Sequence, residues 1–192
     1  MDLEDLPEFG RGKFCTFRGM DVQCGPRGLP GSGDFFFRND GTGKFEQVAE
    51  EVGVADPDEY FGLGISWFDD DQDGWLDLFV SNDAGPNFFY RNMKDGTFME
   101  DAFPMGTAVS EDGGEQGCMG VAIGDYLNEG RFSLVVTNFA EESNVFYRNE
   151  EGFFSDYSFR SAVAAPTLPF VGWGVTFFDY DNDGWLDLMN GN

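Results

Sequence analysis

Apolar positions along the chain fall in runs of five to seven residues, rich in aromatic and β-branched side chains and cut by Gly, Asn and Asp. No run sustains a helical period, so the pattern predicts short strands joined by tight turns. The runs recur in register. Residues 62–68, 118–124 and 172–178 each lead into a polar loop, opened by Asp69, Asp125 and Asp179. A second apolar run follows each loop, beginning at Leu76, Phe132 and Leu186. A further signature keeps step: Phe37-Arg38-Asn39, Tyr90-Arg91-Asn92 and Tyr147-Arg148-Asn149, each followed by a glycine turn and a Phe. The period is about 55 residues.

After the first loop, Leu76, Leu78 and Val80 alternate with Trp75 and Phe79, so both faces of the predicted strand are apolar. A strand of that kind belongs in a sheet covered on both sides, as in stacked blades. About four strands per period matches a propeller blade. The expected fold is all-β, a partial β-propeller of about three to four four-stranded units across residues 34–192. Residues 1–33 form a separate Cys/Gly/Pro-rich segment. Because the last unit stops after its second strand, the chain reads as a fragment whose exposed blade edges favour self-association.

Composition narrows the partners. Asp and Glu number 36 against 11 Lys and Arg, a net charge of −25, so nucleic acid and anionic membrane surfaces are poor partners, and neither nucleic-acid binding nor membrane insertion is expected. With 23 Phe and 4 Trp the acidity is not that of a disordered chain. No membrane-inserting run exists, and the first residues lack a signal-peptide core, although an incomplete chain need not carry its own export signal. Cys15 and Cys24 bracket a short loop, where a disulfide is expected in an oxidising compartment, free thiols being the alternative. Cys118 has no evident partner and is expected to be a small buried residue.

The loops carry the candidate chemistry. Residues 69–77 and 179–187 both read D-x-D-x-D-G-W-L-D. Carboxylates crowded in that way repel unless a hard cation sits among them, and Ca²⁺ takes six to eight oxygens. The expected metal ligands are Asp69, Asp71, Asp73, the Trp75 carbonyl and Asp77, and in the second copy Asp179, Asp181, Asp183, the Trp185 carbonyl and Asp187. The first half matches an EF-hand loop, with Gly74 or Gly184 at the bend, but Val80 and Asn190 stand where the closing Glu would be, and a strand follows. The EF-hand fold is therefore rejected while its ligand logic is kept. A plain Asp-Gly hairpin turn is the alternative, disfavoured by two copies in register. Mg²⁺ suits the site less well, since it demands strict octahedral geometry. The middle loop, residues 125–133, keeps Asp125 and Gly130 but has Leu127 and Ser133 at ligand positions and adds Arg131, so two Ca²⁺ sites are expected and the third loop empty.

These residues resemble the FG-GAP/VCBS repeat family. Phe61-Gly62 matches its FG half, the 69–74 run its calcium loop, and residues 81–86 loosely its GAP half. The Tyr-Arg-Asn signature and residues 24–31 are similar to those of bacterial relatives of cartilage acidic protein 1, the ASPIC/UnbV-containing group. The resemblance implies an exported propeller with structural calcium. The degenerate middle loop and the absence of an ASPIC/UnbV tail depart from it.

Histidine is absent, which removes Ser-His-Asp, Cys-His and His-ligated zinc or haem chemistry from this segment. No phosphate-cradling glycine loop precedes a helix. The reading is therefore a calcium-binding extracellular module for protein or glycan interaction, adhesion or assembly, with no catalytic residue in the chain. The alternatives are part of a secreted Ca²⁺-dependent lyase or hydrolase acting on polysaccharide, and a purely structural spacer. A binder calls for exposed aromatics, for which Phe103, Phe159 and Phe170 are candidates, although packing between blades is the expected role for them. Arg91 and Arg148 are expected in structural ion pairs rather than ligand contacts.

Overall fold

A computed structural model describes residues 14–23 and 25–192. Cys24, the expected partner of Cys15, and residues 1–13 lie outside the described residues. Cys15 is disulfide-bonded. It lies in β1 (Phe14–Phe17), which pairs with β2 (Met20–Gln23) as a two-stranded hairpin. That hairpin lies against the second blade described below, through a Phe17–Phe139 ring contact and a 3.2 Å hydrogen bond from Arg18 to the Pro169 carbonyl.

The remainder is all-β, organised as successive blades. The first complete blade joins β5 (Phe61–Phe68), β6 (Asp77–Asp83), β7 (Phe88–Asn92) and β8 (Phe98–Glu100) in sequential antiparallel order. The second repeats it with β9 (Val121–Gly124), β10 (Ser133–Val136), β11 (Val145–Asn149) and β12 (Phe154–Asp156). Half-blades flank them. Upstream are β3 (Phe37–Asn39) and β4 (Phe45–Gln47), equivalent to outer strands; downstream are β13 (Val175–Phe178) and β14 (Asp187–Asn190), equivalent to inner ones. Register is preserved across units. Phe68 pairs with Asp77, Gly124 with Ser133 and Phe178 with Asp187, so the three loops span equivalent hairpins.

Strand alternation sorts the core. Phe79 and Phe89 point toward the second blade, joining Phe68, Leu134, Val136, Val145, Tyr147 and Phe154 in one cluster. Leu78, Val80 and Tyr90 point the other way, onto Val48, Ala49, Val52 and Val54. The two-faced reading of β6 therefore holds from Leu78 to Val80. It fails for Trp75 and Leu76, which are 47% and 52% exposed, because both precede the strand and sit on the turn. A four-residue helix follows each outer strand: α1 (Ala49–Val52), α2 (Ala102–Met105) and α3 (Ala164–Thr167). Each tucks its first alanine into the core. No helix among the described residues is long and apolar enough to cross a membrane.

Adjacent blades approach through glycine. A Cβ on Gly64 would lie 2.7 Å from the Met119 carbonyl oxygen of the next blade, and one on Gly120 would overlap the Trp173 carbonyl. Ser81 and Thr137, equivalent in β6 and just after β10, hydrogen-bond to those same two carbonyls, at 3.4 and 2.8 Å. Overpacking at such a backbone contact costs about 1–3 kcal/mol, occasionally more. Gly120→Ala is therefore expected to lower unfolding stability by at least about 2 kcal/mol. Gly174→Ala, at the equivalent site with nothing within 4 Å, is expected to change it little. Urea denaturation of both variants checks this, and equal losses would contradict the close-approach account.

Candidate metal centre

All three loops fold by the same local device. The opening aspartate accepts two backbone N–H bonds from its own loop. For Asp69 these come from Asp73 at 3.0 Å and Gly74 at 2.8 Å. For Asp125 they come from Glu129 at 2.9 Å and Gly130 at 2.7 Å, and for Asp179 from Asp183 at 3.1 Å and Gly184 at 2.9 Å. The tight bend needs left-handed backbone at the sixth position, where Gly74, Gly130 and Gly184 have φ of 89°, 82° and 91°. Asp73 and Asp183 then accept the Trp75 and Trp185 N–H groups, at 2.8 and 2.9 Å.

The turns bring carboxylates together. Asp69, Asp71 and Asp73 can each offer an oxygen within 4.8 Å of the other two, and so can Asp179, Asp181 and Asp187. One Ca²⁺ with oxygens at about 2.4 Å bridges at most about 4.8 Å, so each trio fits a single ion of that size. Unneutralised, each pair of charges at that separation repels by roughly 1 to 3 kcal/mol, depending on solvent screening. The donors are all hard oxygens, as calcium requires.

The two trios differ from each other and from the expected ligand sets. Asp77 is outside the first trio. It is buried, and its oxygens accept the Asn92 N–H at 2.8 Å and the Asp70 N–H at 3.2 Å, which staples the loop to β7. Ser133 does the same work in the middle unit, its Oγ accepting the Asn149 N–H at 3.3 Å. The ninth position is thus structural where a third strand stands beside it. Asp187 accepts the Tyr180 N–H at 3.2 Å but, among the described residues, β14 has no third strand, and its carboxylate joins the trio. Asp183 is outside that second trio.

Cations of the protein treat the loops unequally. In the first, Lys94 pairs with Asp73 and holds its carboxyl below the usual range. Arg91 lies 3.7 Å from Asp70, 3.6 Å from Asp71 and 3.3 Å from Asp101. Asp70 is buried; desolvation first, then Asp77, pushes its carboxyl well above the usual range, and Arg91 opposes them. In the middle loop Arg131 pairs with both Glu129 and Glu151, so an internal guanidinium stands among its acids. Loop 179–187 has no ion pair to Lys or Arg among the described residues. Arg148 pairs with Glu150 at 3.6 Å and stacks on Tyr157, so the arginines of the repeat serve the fold as expected.

Sequence reasoning passed over a second buried network. Asn82 takes the Asn87 Oδ1 on its N–H at 3.0 Å and donates to the Pro86 carbonyl at 2.7 Å. Asn138 repeats this with Asn144 at 3.0 Å and the Ser143 carbonyl at 2.7 Å. The recurrence of those asparagines one period apart was the available signal. Phe103, Phe159 and Phe170 correct an expectation: they are 65%, 68% and 52% exposed, not packed between blades. In α2 the core-facing positions belong to Ala102 and Met105, which turns Phe103 outward. Cys118 is buried as expected, which pushes its thiol up to about 12.

Removing one partner of a buried ion pair typically costs about 3–5 kcal/mol, less where the pair is part-exposed. Above about pH 9, where the Asp70 carboxyl (pushed up to about 8) is ionised, Arg91→Ala is expected to cost about 2–4 kcal/mol, because Asp70 is left beside Asp77 without its counter-charge. In an Asp70→Asn background the same substitution is expected to cost less than half as much. Chemical denaturation of the four proteins measures the coupling, and equal costs in both backgrounds would contradict it.

Residues 69–136, from the first acidic loop through β10, match the FG-GAP-like repeat family. Cartilage acidic protein 1 of Homo sapiens is 26% identical over 215 residues, covering 99% of this chain and 31% of that protein. The Mus musculus protein of the same name is 26% identical over 186 residues, covering 93% and 27%. The chain therefore spans less than a third of the length of these curated relatives. Repeated register and equivalent acidic hairpins agree with that match, which makes residues 69–136 similar to an FG-GAP-like repeat.

Proposed function

We propose that the chain is part of an extracellular propeller that binds protein or glycan partners, with one structural Ca²⁺ in each of the loops 69–77 and 179–187. The observation that carries the reading is the pair of three-carboxylate clusters, each small enough for one ion and each on an equivalent hairpin. Asp69, Asp71 and Asp73 would hold the first ion and Asp179, Asp181 and Asp187 the second, with the Trp75 and Trp185 carbonyls as further ligands. Asp183 and Asp77 serve as neighbours that shape the loops. Bound calcium supplies positive charge where the fold concentrates negative charge, and this locks the inner hairpins of the blades.

An extracellular setting is supported by similarity to the cartilage acidic proteins and by the disulfide at Cys15, since disulfides persist in oxidising compartments. Millimolar free calcium outside cells also suits a surface loop whose acids partly face solvent. Phe103, Phe159 and Phe170 offer apolar contact area for a partner on the inserts between blades.

Asp71→Ala and Asp181→Ala are expected to lower the unfolding midpoint in millimolar Ca²⁺ and to leave it nearly unchanged in chelator. An ion that binds only the folded state adds about 2.7 kcal/mol at a hundredfold excess over Kd, which sets the size of the loss at each site. Leu127→Ala, in the middle loop, is expected to have the same effect with and without calcium. Thermal unfolding followed by Trp fluorescence distinguishes these cases. Losses independent of calcium at all three positions would overturn the proposal.

A further inference from the structure

The fourth position of each loop is occupied by a residue with a side chain in left-handed backbone: Gln72, Asn128 and Asn182 have φ of 61°, 55° and 61°. That conformation is unfavourable for a residue bearing a Cβ, Asn being the better tolerated. In two of the loops the side chain so placed reaches the next loop. Gln72 donates from Nε2 to the Gly130 carbonyl at 2.8 Å, and Asn128 donates from Nδ2 to the Gly184 carbonyl at 2.9 Å. Both bonds therefore run from the fourth position of one hairpin to the sixth of its neighbour. The glycines they grip are the ones whose N–H groups bind Asp125 and Asp179. A Cβ on Gly130 would sit 3.2 Å from the Gln72 amide, so the fit depends on the glycine. A further tie runs beside the first, from the Asn149 side chain to the Asp70 carbonyl at 3.0 Å.

The middle loop stands between the two carboxylate trios in this chain of bonds. It has Leu127 in place of a ligand, and Arg131 pairs with Glu129 and with Glu151, offsetting part of their charge. Its turn nevertheless keeps the left-handed glycine and the two N–H bonds onto Asp125.

We propose that loop 125–133 holds no cation and instead couples cation binding at 69–77 to cation binding at 179–187 through Gln72 and Asn128. The inference rests on the two-site calcium reading above. An ion in the first loop orders residues 69–73 and fixes the backbone that carries Gln72. Gln72 then holds Gly130, the Arg131-closed turn presents Asn128, and Asn128 holds Gly184 in the conformation that the second ion requires. The second ion has less ordering left to do, which is positive coupling without a change of shape. By linkage the coupling acts equally in both directions. Two exposed hydrogen bonds in series support a factor of about three to ten in affinity.

The test is a calorimetric Ca²⁺ titration of four proteins: the unaltered chain, Asp71→Asn/Asp73→Asn, Asn128→Ala, and the triple variant. Circular dichroism checks that each is folded. Disabling the first site is expected to weaken binding at 179–187 by about three- to tenfold when Asn128 is present, and to leave it unchanged in the Asn128→Ala background. Gln72→Ala is expected to uncouple the sites in the same way as Asn128→Ala. If the unaltered chain binds two ions and the affinity at 179–187 ignores the first site, the relay is overturned and the calcium reading stands. If it binds none, both are overturned.

Discussion

A single carboxylate at the head of each loop does the work on which the rest of the inner hairpins depend. Asp69, Asp125 and Asp179 each gather the N–H groups of the fifth and sixth loop residues, and each bend turns on a left-handed glycine. A charge-assisted bond from backbone N–H to carboxylate is roughly twice as strong as a neutral one. Two such bonds close a turn that leaves the first two strands of the blade aligned, with Phe68 opposite Asp77 and its counterparts in the other units. The middle loop lacks two ligand positions yet keeps this cage, so the turn does not need the ion to form. The repulsion among the remaining acids is a separate demand, and it is the one the proposed ion would answer.

Cationic side chains of the protein meet that repulsion at two of the three loops. Lys94 and Arg91 draw off part of the charge at the first loop. Arg131 does so at the middle loop, where it pairs with Glu129 and with Glu151. The third loop has no such partner among the described residues, and its trio has recruited Asp187 instead of Asp183. A chain with a net charge of −25 gains from the ion pairs at the first two loops, since self-repulsion works against compactness. The blades behind the loops are held by ordinary means: two apolar clusters on the two faces of β6, and glycines that admit a neighbouring carbonyl.

The fold was legible because its signals repeat. Alternation of Leu78, Phe79 and Val80 reported a sheet covered on both faces, and the Arg-Asn signatures marked the third strand of each unit. The four-residue helices were invisible, since one turn of helix carries no period to detect. The clustering of Asp69, Asp71 and Asp73 could be read from spacing alone because the bend is local. The roles of Asp77 and Asp187 could not, because identical residues diverge according to whether a third strand lies beside them. The alternation of Trp75 and Leu76 mimics a strand, but both belong to the turn, where aromatic and aliphatic side chains stand exposed. Gln72 and Asn128 read as spacers between acids; only the juxtaposition of neighbouring hairpins discloses their contacts.

The claim at the centre of this account is that the chain carries two ion sites on three equivalent hairpins, and a count of bound ions tests it most directly. Native mass spectrometry of the chain, titrated with Ca²⁺ after treatment with chelator, reads the stoichiometry without reference to stability. Two ions per chain are expected, falling to one in Asp181→Ala. No bound ion would contradict the claim that the clusters are cation sites, and three would contradict the assignment of Arg131 as the substitute for an ion in the middle loop.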